Sequence, residues 1–136
     1  MSQATTRRYL LPEDVKTIAE NVAMTVNLLE AVRQEAPDSA VVLVSSGEVY
    51  GPPERLPVDE SAALRPQNPY AVSKAACDLL GGQYADAHGL RIVRMRAFNH
   101  AGPGQSDDYV VGTLTRQVAE AEAAGAPEAL LRTGNP

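Results

Sequence analysis

The sequence predicts an α/β fold in which helices cover both sides of a parallel sheet, and three observations lead there. Val41-Val42-Leu43-Val44 is an uninterrupted apolar, mostly β-branched run without polar alternation, the pattern of a strand buried on both faces. Arg91 to Phe98 is a second strand-like run, with Ile92, Val93, Met95 and Phe98 apolar. Helical spacing of apolar residues fills the stretches before, between and after the two.

Taken in order, Pro12 followed by Glu13 and Asp14 suits a helix start, because proline fits the first turn and acids complement the positive end of the helix dipole. Ile18, Val22, Val26, Leu29 and Val32 then recur at helical spacing, so a helix is expected over 12–35, ending before Pro37. The strand over 41–44 delivers Ser45 and Ser46 at its carboxyl end, the end where open α/β sheets bind ligands. Residues 51–68 hold Pro52, Pro53, Pro57 and Pro66 without periodicity and read as a loop crossing over the site. Asn68 and Pro69 are an N-cap and first-turn proline for a helix carrying Tyr70, Lys74, Leu79, Leu80 and Tyr84 to about Ala87, with Gly89 as its stop. The second strand, over 91–98, leads into Asn99 and His100. Leu114, Val118 and Ala121 mark a last helix over 110–124, and Leu131 to Pro136 reads as a strand entering a turn.

Composition narrows the function classes. Twelve basic against seventeen acidic residues give a formal charge of −5 with no basic cluster, which argues against nucleic-acid binding. The single Cys77 allows no internal disulfide and suits a reducing compartment. No 18-residue apolar run is present, and Met1 to Arg8 lacks an apolar segment behind it, so neither a membrane span nor a secretory signal is expected. A cytoplasmic protein follows. His88, His100 and Cys77 have no metal-ligand spacing.

Chemistry concentrates in Pro69-Tyr70-Ala71-Val72-Ser73-Lys74, downstream of Ser45-Ser46-Gly47-Glu48-Val49-Tyr50-Gly51. Residues four apart share a helix face, so the Lys74 ammonium can lie beneath the Tyr70 ring. Free tyrosine titrates near ~10, and a fixed cation favours the phenolate and brings it toward the working range of a proton donor. Ser46 would hydrogen-bond the substrate oxygen that Tyr70 protonates. The plainer readings are a snorkelling lysine over an aromatic ring, a serine that caps a turn, and an exposed turn carboxylate at Glu48.

These motifs resemble the extended short-chain dehydrogenase/reductases of the NAD-dependent epimerase/dehydratase type, which act on nucleotide sugars. Asn21 to Val32 looks like the family's asparagine-containing helix, and Ser45 to Gly51 like its catalytic-serine turn. Arg96-Ala97-Phe98-Asn99-His100-Ala101-Gly102-Pro103-Gly104-Gln105, with Arg116-Gln117-Val118-Ala119 and Gly134-Asn135, is most similar to GDP-4-keto-6-deoxy-D-mannose reductases. GDP-mannose 4,6-dehydratases and UDP-glucose 4-epimerases are close alternatives.

The resemblance implies a Rossmann-like fold, NAD or NADP as cofactor, a nucleotide-sugar substrate and a homodimer for the full-length family member. It implies catalytic roles for Ser46, Tyr70, Lys74 and Glu48, and cofactor contacts from Tyr70, Lys74, Ser45 and Phe98. Substrate contacts are implied for Ser46, Asn99 and His100. Family members open with a strand, a Gly-rich turn and a phosphate-binding helix, whereas the clustered glycines here are Gly81-Gly82 and Gly102-Pro103-Gly104. The expectation is a partial Rossmann-like segment lacking the N-terminal nucleotide-binding half and truncated at both ends, either catalytic in a longer context or inert alone. Gly47 stands where dehydratases of the dTDP-sugar type carry an aspartate just before Glu48, which weakens that type but not the GDP-mannose type.

Overall fold

A computed structural model describes residues 11–126, 128 and 130–133, and divides the chain into two units, Met1–Phe98 and Asn99–Pro136. The first unit holds α1 (Pro12–Glu35), β1 (Ala40–Val44), a 3-10 turn (Gly47–Tyr50), α2 (Pro69–His88) and β2 (Arg91–Met95). Its boundaries follow from local chemistry. Asp14 accepts a hydrogen bond from the Leu11 N–H at 3.0 Å, closing the first turn of α1 behind Pro12. The Asn68 side chain accepts from the Ala71 N–H at 2.8 Å, and Gly89 ends α2 in the left-handed region at φ 67°, where a residue with a Cβ is disfavoured.

β1 and β2 pair in parallel, with Ala40 opposite Arg91 and Val44 opposite Met95. β2 ends at Met95, three residues short of the expected Phe98. The reason is that its partner turns away: past Val44 the contact continues through Ser45 N–H to Met95 O and Gly47 N–H to Ala97 O, both 2.7 Å, and the chain enters the 3-10 turn at Gly47.

Both helices of this unit lie on the Val41, Leu43 and Ile92 side of the sheet. Leu29 of α1, Tyr84 of α2 and Leu90 form a buried cluster, with Val32, Leu43, Leu80 and Ile92 packed around it. Full burial of a side chain such as Leu29 contributes about 1.5–3 kcal/mol. Gly81 allows the close approach of α2, since a Cβ there would stand 2.5 Å from Leu43 Cδ1; Gly81 and Gly82 therefore serve helix–sheet packing. A second cluster of Val49, Tyr50 and Ala75, joined by Val58, Ala62 and Leu64, pins the proline-rich loop to the start of α2.

The expectation that the first strand is buried on both faces does not hold. Val42 and Val44 are 52% and 58% exposed, and Val93 and Met95 are 56% and 48% exposed. Side chains alternate across a strand, and α1 and α2 cover only the face that holds Leu43 and Ile92. The α/β class with a parallel sheet stands, and the described residues of the first unit supply one helical layer.

In the second unit α3 runs Val110–Ala123, one residue shorter than expected. Arg116 pairs with Asp107 at 2.6 Å and Glu120 at 2.8 Å. Gln117 holds the following segment by donating to Arg132 O at 3.0 Å and accepting from Arg132 N–H at 2.7 Å. The strand expected over 131–136 is not formed at residues 131–133, and residues 134–136 lie outside the described set. Among the described residues no helix is long and apolar enough to cross a membrane.

Candidate active site

The site is assembled where the carboxyl end of β1 meets the first two turns of α2. Lys74 donates from Nζ to the Val44 carbonyl at 2.9 Å, which fixes the ammonium at the strand end. The same Nζ stands 5.9 Å from the centroid of the Tyr70 ring, at the limit of cation–π attraction. The juxtaposition expected from the four-residue spacing is therefore present, with the lysine held by a backbone carbonyl instead of drifting along the helix surface. Tyr70 is 44% exposed, so its ring edge is open to an incoming molecule.

Ser46 takes extended backbone angles and its hydroxyl accepts from the Glu48 N–H at 3.2 Å. That is the capping role the plainer reading assigns, and it orients the hydroxyl while leaving its proton free to donate. Ser45 is buried, and its hydroxyl donates to the Lys74 carbonyl at 3.4 Å. Glu48 is exposed and accepts at 2.9 Å from Asn68 Nδ2. Asn68 thus caps α2 through its oxygen and tethers Glu48 through its nitrogen. Only the capping half of this was legible in the sequence.

Two further residues brace the helix start. Ser73 donates to the Tyr70 carbonyl at 2.8 Å and accepts from Asn21 Nδ2 at 2.9 Å, so α1 supports the turn carrying Tyr70. Cys77 donates to the Asn21 carbonyl at 3.4 Å, which gives this thiol a packing role. Phe98 stacks on Tyr50 with ring centroids 6.2 Å apart and an interplanar angle of 13°. A Cβ at Gly47 would stand 2.8 Å from Phe98 Cδ1. The glycine preceding Glu48 thus has a steric reason in this chain.

Sequence reasoning missed the charged centre behind the site. Asp78, with no exposed surface, accepts from Arg96 Nε at 2.8 Å, Arg96 Nη2 at 2.9 Å and Arg94 Nη1 at 3.2 Å. Burial alone pushes its carboxyl up, but the hydrogen bonds and charge of Arg96, with Arg94 behind them, outweigh that and hold it below the ordinary carboxylate range. Arg96 is raised in turn, chiefly by its bond to Asp78. A fully charged pair inside an α/β core is signalled in sequence only by an arginine at a strand end, which is indistinguishable from a surface one.

A cavity of about 190 Å³ opens beside Lys74, lined by Asn21, Thr25, Val44, Ser45 and Cys77 among others. An ammonium, a hydroxyl and a backbone carbonyl meet at its edge, a donor and acceptor set that suits vicinal hydroxyls such as those of a ribose. Asn99 and His100, predicted for the substrate side, belong to the second unit.

The GDP-mannose 4,6 dehydratase family matches residues 10–136. The chain belongs to this family. Its relatives place it in the NAD-dependent epimerase/dehydratase branch of the short-chain dehydrogenase/reductases. It is 38% identical over 109 residues to the GDP-6-deoxy-D-mannose reductase of Pseudomonas aeruginosa, covering 79% of this chain and 36% of that protein. It is 46% identical over 82 residues to the UDP-glucose 4-epimerase of Streptomyces lividans, covering 60% and 25%. Among solved structures, RMD from P. aeruginosa complexed with NADPH superposes with a TM-score of 0.70 at 35% identity, over 88% of this chain and 43% of that one. The dTDP-glucose 4,6-dehydratase of Bacillus anthracis in complex with NAD gives 0.69 at 30% identity, over 82% and 36%. The chain therefore spans about a third of the length of its first curated relative.

Proposed function

We propose that this chain supplies the Ser46, Tyr70, Lys74 part of an NAD(P)H-dependent reductase acting on a GDP-4-keto-6-deoxy sugar. The observation that carries it is the Lys74 ammonium, held by Val44 O and set 5.9 Å from the Tyr70 ring. The 38% identity to a GDP-6-deoxy-D-mannose reductase supports the substrate class. NAD or NADP is taken from the complexes of the structural relatives, and the cavity beside Lys74 suits its ribose. With its ribose held by Lys74 and Ser45, such a cofactor would supply the hydride that converts the C4 ketone to an alcohol.

The chain's own residues manage the oxygen. Ser46 donates to the carbonyl oxygen and stabilises the charge that develops as the π bond breaks. Tyr70 transfers its hydroxyl proton to that oxygen, and Lys74 stabilises the phenolate left behind. In the same reading Ser45 and Phe98 flank the cofactor side, and Asn99 and His100 serve the substrate. The same reading puts the protein in the cytoplasm with a nucleotide sugar as its substrate, and takes a homodimer as the assembly of the full-length family member.

The second reading, a 4,6-dehydratase or 4-epimerase, is favoured by one observation. Glu48, tethered by Asn68 beside the start of α2, is a carboxylate available for proton removal. A titration of the 136-residue chain with NADPH and with NADH, followed by turnover of GDP-4-keto-6-deoxymannose, tests the proposal. Micromolar binding would show that the chain alone holds the cofactor, with reduction that Tyr70→Phe lowers by about 10²–10⁴-fold; no detectable binding would select the inert-alone reading. Turnover unchanged in Tyr70→Phe would sink it, and loss of activity in Glu48→Gln on a GDP-mannose substrate would select the dehydratase.

A further inference from the structure

We propose that Arg96 is a positioning residue, holding the Ser46 turn in register with the helix that carries Tyr70 and Lys74. The proposal rests on the reductase reading for its kinetic consequence, but its geometry is independent of it. Asp78 lies one helical turn beyond Lys74, and Tyr50 lies four residues beyond Ser46. Arg96 joins the two. Nε and Nη2 donate to the Asp78 carboxylate at 2.8 and 2.9 Å, while Nη1 donates to the Tyr50 hydroxyl at 2.9 Å and the Glu60 carbonyl at 3.2 Å. The guanidinium carbon also lies 5.2 Å from the Tyr50 ring centroid. One side chain thus spans α2, the 3-10 turn and the proline-rich loop from the end of β2.

Only a planar fork can serve those three acceptors at once, and the compact ammonium of lysine cannot reproduce it. Arg94 is the internal contrast. Among the described residues it hydrogen-bonds Asp78 alone, and its side chain is 40% exposed against 13% for Arg96. Arg94 helps neutralise the buried carboxylate, whereas Arg96 also fixes the turn. Buried ion pairs are weak sources of net stability and can instead select one arrangement. The arrangement selected here is the placement of the Ser46 turn relative to Lys74.

The test compares Arg96→Lys with Arg94→Lys in the full chain, read by amide hydrogen exchange and by steady-state kinetics. In Arg96→Lys the Val49 and Gly51 amides, which donate within the turn to Ser46 O and Glu48 O, should exchange about tenfold faster while amides in the middle of α1 and α2 keep their rates. A kcat lower by about 10- to 100-fold with KM unchanged should accompany this. Arg94→Lys should leave the turn amides as they are. Exchange that accelerates equally throughout the first unit, or a loosened turn with kcat intact, would overturn the proposal. Should Arg96→Lys fail to fold, Tyr50→Phe removes one acceptor while keeping the ring, and it should move the same observables less. If the wild-type chain shows no reductase turnover, the functional reading fails while the exchange comparison still decides whether Arg96 holds the turn.

Discussion

Glu30 shows how a single side chain can be charged, half-buried and still specific. It accepts from Arg33 Nη2 at 2.8 Å, from the Tyr84 hydroxyl at 2.8 Å and from Gln34 at 3.1 Å. The Arg33 bond, then those of Tyr84 and Gln34, hold its carboxyl at about 2, below the ordinary 4.5. A carboxylate with a depressed folded-state value contributes stability that is fully present above the unfolded value and lost as pH falls through the folded one. Wild type should therefore exceed Glu30→Gln in stability by a constant margin at neutral pH. That margin should shrink between about pH 4.5 and about pH 2, measured by urea unfolding across that range. A margin independent of pH would show that the Tyr84–Glu30 link between the helices does not depend on the charge. Asp78 is held down in the same direction, and its loss of ionisation would remove the charge partner that Arg96 and Arg94 share.

Helix starts and helix–sheet contacts decide how well the site is held. Asn68→Ala removes the cap of α2 and should cost about 1 kcal/mol in denaturant unfolding. Asn68→Asp keeps the capping oxygen, so its stability loss should be smaller, yet it replaces the donor to Glu48 with a second acid. A catalytic effect in Asn68→Asp without a matching stability loss would separate the tether from the cap. Gly81→Ala brings a Cβ to within 2.5 Å of Leu43 Cδ1. Overpacking of about 1–3 kcal/mol outweighs the roughly 1 kcal/mol that alanine returns in helix propensity. The variant should be less stable in the same assay, and a more stable one would mean that Leu43 or α2 gives way at little cost.

At the scale of the whole first unit, the open sheet face is the dominant physical fact among its described residues. Val42, Val44, Val93 and Met95 stand exposed on adjacent strands of a two-stranded sheet, and such a sheet also presents unpaired edges. Self-association that rises with concentration is expected in light scattering, despite a formal charge of −5. Val44→Glu should reduce it with little loss of stability, because that side chain is 58% exposed. Association unchanged by this substitution would place the contact elsewhere.

The sequence by itself determined α1, α2, the first strand and the capping residues Asn68 and Gly89, because each rests on local rules of periodicity and backbone conformation. It also determined the pairing of Tyr70 with Lys74, which a four-residue helical spacing dictates, and the family, which its motifs carry. Tertiary structure decided the rest. Which strand face is covered depends on where α1 and α2 dock, and the true end of β2 depends on where its partner turns away. The bonds joining Asn68 to Glu48, and Arg96 to Asp78, Tyr50 and Glu60, link residues 18 to 46 positions apart. No local pattern encodes such contacts, since they exist only once the sheet and helices have brought those side chains together.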